Sequence, residues 1–134
     1  MIMTQTPPKI PGFSVQSLLG RGGFADVYLY EQKRPERRVA VKVLRELGSR
    51  QGRQVFTTEA DALAATCAHP AILSLFQTGK LPDGRPYLVL QYCPVANLSQ
   101  RVRRHPLSLA QALDTTIRLA GALETVHRVG LAHR

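Results

Sequence analysis

The sequence has few acidic residues, few aromatic rings and no tryptophan. Nine Asp and Glu residues stand against 18 Lys and Arg residues, so the net charge is +9. This balance leaves a small basic nucleic-acid-binding protein as an alternative, but aromatic residues are only 6% of the chain and no nucleic-acid-binding motif is present. The basic residues are scattered, with clusters only at Arg37-Arg38 and at 101–104, so we predict a solvated surface and no nucleic-acid partner.

Signals for metal binding, export and membrane insertion are also missing. The two cysteines, Cys67 and Cys93, lack metal-ligand spacing and are predicted to be free thiols of a reducing cytosol. No apolar run approaches the ~18 residues that a membrane-spanning helix needs. Residues 1–12 contain no apolar core of signal-peptide length. We therefore predict a cytoplasmic chain without a membrane segment.

The residues that are present predict an α+β fold of one domain's size. The 134 residues are 44% apolar, which is enough to build a core. Residues 1–12 hold three of the nine prolines and are predicted to form a flexible leader. Strand-like apolar runs separated by turn signals predict a five-stranded antiparallel sheet, with strands at 13–19, 25–31, 38–44, 72–77 and 86–92.

Helical periodicity predicts one helix inserted after the third strand and further helices after the sheet. The inserted helix is predicted at 54–66, with 45–52 as a loop before it, from the spacing of Val55, Ala62, Leu63 and Ala65. After the sheet, Asn97 is the predicted N-cap of a short helix that ends at 103. Ser108 is the predicted N-cap of a long helix from 109 to about 128, which Gly130 terminates.

Three glycines, Gly20, Gly22 and Gly23, lie between the first two predicted strands. One interpretation is an ordinary hairpin turn, because glycine adopts positive φ at little cost. The other is a flap whose backbone N–H groups close over the phosphates of ATP with no side chains in the way. The cluster does not precede a helix, which argues against a Walker loop or a dinucleotide fingerprint and favours the flap.

Lys42 ends the apolar strand V-A-V-K, and strand alternation places it on the same face as Ala40. A small side chain at 40 leaves room for a flat base, and the ammonium group at 42 reaches the phosphates. A half-buried ammonium group needs a carboxylate partner, and Glu59 on the predicted helix is the candidate. Asp61 is a competitor, but it points to a different face of that helix.

In their order and spacing, several segments resemble the bacterial eukaryotic-like serine/threonine protein kinases. These segments are L-G-R-G-G-F-A-D-V-Y at 19–28, V-A-V-K-V-L at 39–44, H-P-A-I-L at 69–73, D-G-R-P-Y-L-V-L-Q-Y at 83–92 and the terminal H-R. The resemblance covers residues 13–134. Ala25 departs from it, because it stands where the family pattern has a third glycine.

The resemblance implies a nucleotide-binding N-lobe at 13–93, followed at 94–134 by the hinge and the first helices of an incomplete C-lobe. It implies ATP as the ligand, with the three glycines, Lys42 and Glu59 around the phosphates. For the base and ribose it implies Val27 and Ala40 above the adenine, Leu90 as gatekeeper, backbone groups of Gln91 and Cys93 at the adenine edge, and Asn97 near the ribose.

The resemblance also implies what these residues lack. L-A-H-R at 131–134 is similar to the start of a kinase catalytic loop, whose catalytic Asp would follow Arg134. None of the four Asp residues lies in a catalytic-loop or D-F-G context. We therefore expect Mg²⁺ binding and phosphoryl transfer to protein substrates only from the full-length kinase, and inactivity from these 134 residues alone.

Two further expectations follow from the resemblance. A catalytically dead nucleotide-binding or decoy module is the alternative to part of an active kinase. The helix at 109–128 would lack the neighbours that normally cover its apolar stripe, which predicts self-association through that stripe.

Overall fold

The computed structural model describes residues 6–132, and within that range it contains a five-stranded sheet and three helices. The elements are β1 (Phe13–Arg21), β2 (Ala25–Lys33), β3 (Glu36–Leu44), α1 (Arg50–Thr66), β4 (Leu75–Lys80), β5 (Pro86–Gln91), α2 (Leu98–Arg104) and α3 (Leu109–Arg128). The strand order is β1-β2-β3-β5-β4, and every neighbouring pair is antiparallel. The predicted α+β fold with a helix inserted after the third strand is confirmed.

Both faces of the sheet carry a layer of buried apolar side chains. On one face, which we call the helix face, residues of β3 and β5 pack against Phe56 of α1; they are Ala40, Leu44, Leu88 and Leu90. On the opposite face, the back face, the cluster consists of Ile10, Tyr28, Tyr30, Val39, Val41, Val43, Leu81 and Val89. The two sets alternate along β3 and β5, as the two-residue period of a strand requires.

The segment before β1 packs on the back face. Ile10 is only 4% exposed and belongs to the buried cluster there. The hydroxyl group of Tyr30 donates a hydrogen bond of 2.5 Å to the carbonyl of Pro8. Residues 8–12 therefore differ from the expected flexible leader. Ile10 reaches the sheet, and the burial of its side chain holds this segment there. The part of that prediction at residues 1–5 lies outside the described residues.

The start of α1 corrects the predicted loop at 45–52. The helix begins at Arg50, because the Ser49 hydroxyl group caps it by accepting from the Gly52 N–H at 2.9 Å. A glycine inside a helix costs about 0.5–1 kcal/mol relative to alanine. Here a Cβ on Gly52 would lie 3.0 Å from the ring of Phe24, so the absent side chain makes room for that ring.

Two other sequence expectations are corrected. Val55 is 47% exposed, and the buried apolar residue at this level of α1 is its neighbour Phe56. The fourth strand lies at Leu75–Lys80 and not at 72–77, because a turn closed by the Ile72 N–H and the His69 carbonyl occupies the start of the predicted range. The other strand ends differ from prediction by one or two residues, which is the usual uncertainty of element ends.

The two last helices begin where their capping residues predict. The side chains of Asn97 and Ser108 each accept a hydrogen bond from the backbone N–H of the residue three positions later. In return, the side chains of those residues, Gln100 and Gln111, accept from the backbone N–H of Asn97 and Ser108, which completes a capping box at each helix. Gly130 follows α3 with a φ of 77°. The side chains of Leu109 and Ile117 on α3 are 77% and 70% exposed. Over the described range, no helix is both long and apolar enough to cross a membrane.

Candidate functional site

Strand register places the predicted site residues of the sheet on one face. Residues directly opposite each other in an antiparallel pair share a face of the sheet. Val27 lies opposite Lys42, and Lys42 lies opposite Leu88. Ala40 lies opposite Leu90 in the next row. All four side chains therefore point to the helix face, where Val27 packs against the buried cluster that includes Ala40 and Leu90.

Lys42 pairs with a carboxylate of α1. Its Nζ lies 2.5 Å from Oε2 of Glu59, and the two side chains are 23% and 37% exposed. Phe56, one turn earlier and 4% exposed, anchors α1 to the sheet and so holds Glu59 at this position. Asp61, the competing carboxylate, is exposed and forms no ion pair with another described residue. Lys42 stays partly exposed to solvent on the helix face despite this pair, so its ammonium group can contact an anion.

The glycine turn between β1 and β2 does not need glycine for its backbone conformation. Gly20, Gly22 and Gly23 are not among the described glycines with positive φ, which are Gly12, Gly84 and Gly130. A Cβ on Gly20 or Gly23 would meet no atom within 4 Å. The ordinary-turn interpretation therefore loses its physical reason at these positions. A Cβ on Gly22 would lie 3.2 Å from the Ala25 carbonyl oxygen, so this position is crowded. The open space at Gly20 and Gly23 favours the other interpretation, a backbone that a ligand approaches closely.

The hydrogen bonds of the turn leave at least one backbone donor near its tip without an acceptor among the described residues. The Gly22 N–H donates to the Ala25 carbonyl at 2.8 Å, and the Phe24 carbonyl accepts from the Arg45 N–H at 2.8 Å. The Gly23 N–H donates to no acceptor among the described residues. The turn thus presents at least one backbone N–H group that can bind an anion.

An ion pair that was not predicted from the sequence supports this turn. Asp26 is 4% exposed on the back face, and its Oδ1 lies 2.7 Å from Nη2 of Arg45. The same Nη2 donates to the Gly22 carbonyl at 2.7 Å. The hydrogen bond to Asp26 raises the pKa of Arg45, and burial, followed by the charge of Asp26, raises the pKa of Tyr28. An available signal was the alternation of β2, which aligns Asp26 with the apolar residues Tyr28 and Tyr30.

The predicted hinge residues differ in what their groups can still bind. The Gln91 N–H already donates to the Ser74 carbonyl at 2.9 Å, so it is not free for an adenine edge. Cys93 is exposed, and its backbone groups form no hydrogen bond with other described residues. The Asn97 side-chain oxygen accepts from the Gln100 N–H at 2.9 Å, so its carbonyl end serves as a helix cap.

The arrangement has groups that can bind an anion, and apolar side chains lie on the same face of the sheet as Lys42. Lys42 and the Gly23 N–H supply positive and donor groups, and Val27 and Ala40 supply apolar side chains. In the described part of the chain, no three His, Cys, Asp or Glu side chains come close enough together to hold a metal ion. His133 and Arg134, which carry the predicted start of the catalytic loop, lie outside the described residues.

Comparisons with known proteins agree on one family. The family model for protein tyrosine and serine/threonine kinases matches residues 13–134. Serine/threonine-protein kinase PknK of Mycobacterium tuberculosis is 40% identical over 134 residues, which cover 95% of this chain and 12% of PknK. Serine/threonine-protein kinase PksC of Streptomyces coelicolor is 39% identical over 132 residues, covering 91% of this chain and 24% of PksC.

Another relative gives the same result. The probable serine/threonine-protein kinase SCO3848 of Streptomyces coelicolor is 35% identical over 137 residues, covering 97% of this chain and 20% of that protein. The chain thus spans between 12% and 24% of the length of these three curated relatives.

Proposed function

The chain belongs to the protein tyrosine and serine/threonine kinase family, and we propose that its residues 13–97 bind ATP as the nucleotide-binding part of a serine/threonine kinase. The whole protein would transfer the γ-phosphate of ATP to hydroxyl groups of protein substrates. One observation carries the proposal. It is the 2.5 Å ion pair between Lys42 and Glu59, on the same sheet face as Val27 and Ala40.

The base would bind to the apolar part of the helix face. The base would contact Val27, which is half-buried, and Ala40, whose side chain is a single methyl group. Leu90 limits the depth of this surface as the proposed gatekeeper. The free backbone groups of Cys93 would bind the adenine edge. Asn97 would lie near the ribose, with its side-chain NH₂ group directed to it, because its side-chain oxygen caps α2.

The phosphates would bind to Lys42 and the glycine turn. Lys42 contributes an ammonium group, and Glu59 holds that group in place without removing it from solvent. Gly23 contributes its free N–H, and Gly20 and Gly23 leave room for the phosphates to approach. When bound by the full-length kinase, Mg²⁺ neutralises phosphate charge, but no described residue is assigned to it. The inactivity of these 134 residues in phosphoryl transfer stays a prediction.

Binding can be tested by NMR titration of the ¹⁵N-labelled chain with ATP and with adenosine. Because the described contacts form an open surface, we expect dissociation constants of roughly millimolar, about −4 kcal/mol. Lys42→Met should weaken ATP binding about tenfold, the size of one charge-assisted hydrogen bond, and leave adenosine binding unchanged. Glu59→Gln should act in the same direction but less, because Lys42 keeps its charge.

Lys80→Met is the matched control, because Lys80 is an exposed strand lysine at the end of β4, opposite Pro86, which is not a residue of the proposed site. It should change neither ligand's affinity. The proposal is contradicted if ATP-induced shifts do not map to residues 20–28, 40–42 and 90–97. It is equally contradicted if Lys42→Met weakens ATP and adenosine binding to the same extent.

A further inference from the structure

The guanidinium group of Arg45 joins the glycine turn to a buried carboxylate on the back face of the sheet. Its Nη2 lies 2.7 Å from both the Gly22 carbonyl and Asp26 Oδ1. Asp26 lies opposite Val43, a member of the back-face cluster, and accepts a hydrogen bond of 3.5 Å from the Tyr28 hydroxyl group. The guanidinium group therefore holds the Gly22 carbonyl from the side opposite to Lys42.

The orientation of that carbonyl fixes the orientation of the next N–H group. The only cis peptide bond among the described residues is Arg34-Pro35, so the bond between Gly22 and Gly23 is trans. In a planar trans peptide the C=O and the following N–H point in opposite directions. A Gly22 carbonyl directed to the back face therefore directs the Gly23 N–H to the helix face, where Lys42 lies.

We infer that Arg45 is a positioning residue for phosphate binding, which acts by orienting the Gly22–Gly23 peptide so that the Gly23 N–H faces the nucleotide. The inference rests on the proposed function. The buried carboxylate of Asp26 holds the guanidinium group of Arg45 in position beside the Gly22 carbonyl. Gly22 and Gly23 could otherwise rotate this peptide freely, since neither carries a side chain that resists rotation. The bond from the Arg45 N–H to the Phe24 carbonyl fixes the base of the same turn.

The test compares ATP and adenosine binding in the full 134-residue chain by ¹⁵N NMR. Arg45→Gln should weaken ATP binding about tenfold, the loss expected for one hydrogen bond to a charged group, and leave adenosine binding unchanged. In the unmodified chain ATP should shift the Gly23 amide signal and adenosine should not. In Arg45→Gln this ATP-specific shift should disappear. Asp26→Asn should act in the same direction but less, because the guanidinium group remains without its charged anchor.

Two controls separate positioning from loss of charge or of stability. Arg118→Gln removes an arginine from an exposed ion pair with Asp114 on α3, with the same change in net charge. Tyr28→Phe removes the other contact to Asp26 without touching the turn. Neither should alter the ratio of ATP to adenosine affinity. If Arg118→Gln lowers that ratio as much as Arg45→Gln, the effect is general charge and the inference is wrong.

The remaining outcomes separate a failure of the proposed function from a failure of this inference. An unmodified chain that binds no ATP, or binds it without dependence on Lys42, overturns the proposed function and this inference together. ATP binding that depends on Lys42 but survives Arg45→Gln overturns this inference alone. If Arg45→Gln does not fold, the decision passes to Asp26→Asn and to the Gly23 amide of the unmodified chain. A Gly23 signal that responds equally to ATP and adenosine then refutes the inference.

Discussion

Replacing Ile10 by alanine tests the packing of the N-terminal segment on the back face. Ile10 is 4% exposed and belongs to the buried cluster that contains Tyr28 and Tyr30. The substitution removes three carbon groups, and burial of each contributes about 0.8 kcal/mol, so the transfer part alone is about 2.4 kcal/mol. A rigid cavity would add to this loss. Because the segment lies at the surface and can collapse, we expect a total loss of about 2–3 kcal/mol in the free energy of unfolding.

The assay is equilibrium urea unfolding followed by far-UV circular dichroism, since the chain has no tryptophan. Val55→Ala is the matched control, because it also truncates a β-branched residue, but one that is 47% exposed on α1. Its effect should stay within about 0.5 kcal/mol. A loss for Ile10→Ala below about 0.5 kcal/mol, or one equal to that of Val55→Ala, would show that residues 8–12 do not stabilise the sheet.

Two other predictions concern pH and association. Burial raises the pKa of Tyr30 from 10.0 to about 12, so its contribution to stability is complete below pH 10 and is lost as the pH rises towards 12. The free energy of unfolding, measured in urea, should fall in that range by up to about 1.4 kcal/mol per pH unit. Tyr30→Phe should reduce this fall, and an unchanged pH profile in the variant contradicts the assignment. The exposed face of α3 should cause self-association at roughly tens of micromolar in sedimentation velocity. Combining Leu113→Glu with Ile117→Glu should give monomer, whereas Val95→Glu, at a residue 78% exposed outside α3, should not; an unmodified chain that is already monomeric refutes the prediction.

Several features of the fold and site could be predicted from the sequence because they depend on local patterns. Two-residue alternation predicted that Ala40 and Lys42 share a face, and register confirms that they do. Capping chemistry predicted the starts of α2 and α3 at Asn97 and Ser108. The role of Ala40 and Lys42 in nucleotide binding stays a proposal.

Local patterns failed where a distant partner outweighed them. Gly52 indicated a loop by its propensity, yet it lies in α1, where its missing side chain accommodates the ring of Phe24. Val55 fitted the helical spacing, but the sheet lies on the side of Phe56. Ile10 lies in a proline-containing segment with no regular period, so its burial could not be inferred without the sheet that covers it.

The sequence by itself determined the type and order of the elements, the faces of the strands and the caps of α2 and α3. These properties depend on residues no more than about four positions apart, whose interactions are fixed by helix and strand geometry. Only the tertiary structure decided that Arg45 reaches both Asp26 and Gly22, 19 and 23 positions earlier, and that Gln91 has already given its N–H to Ser74. Such contacts depend on how the strands and their connecting turns pack together, and no local spacing encodes that packing.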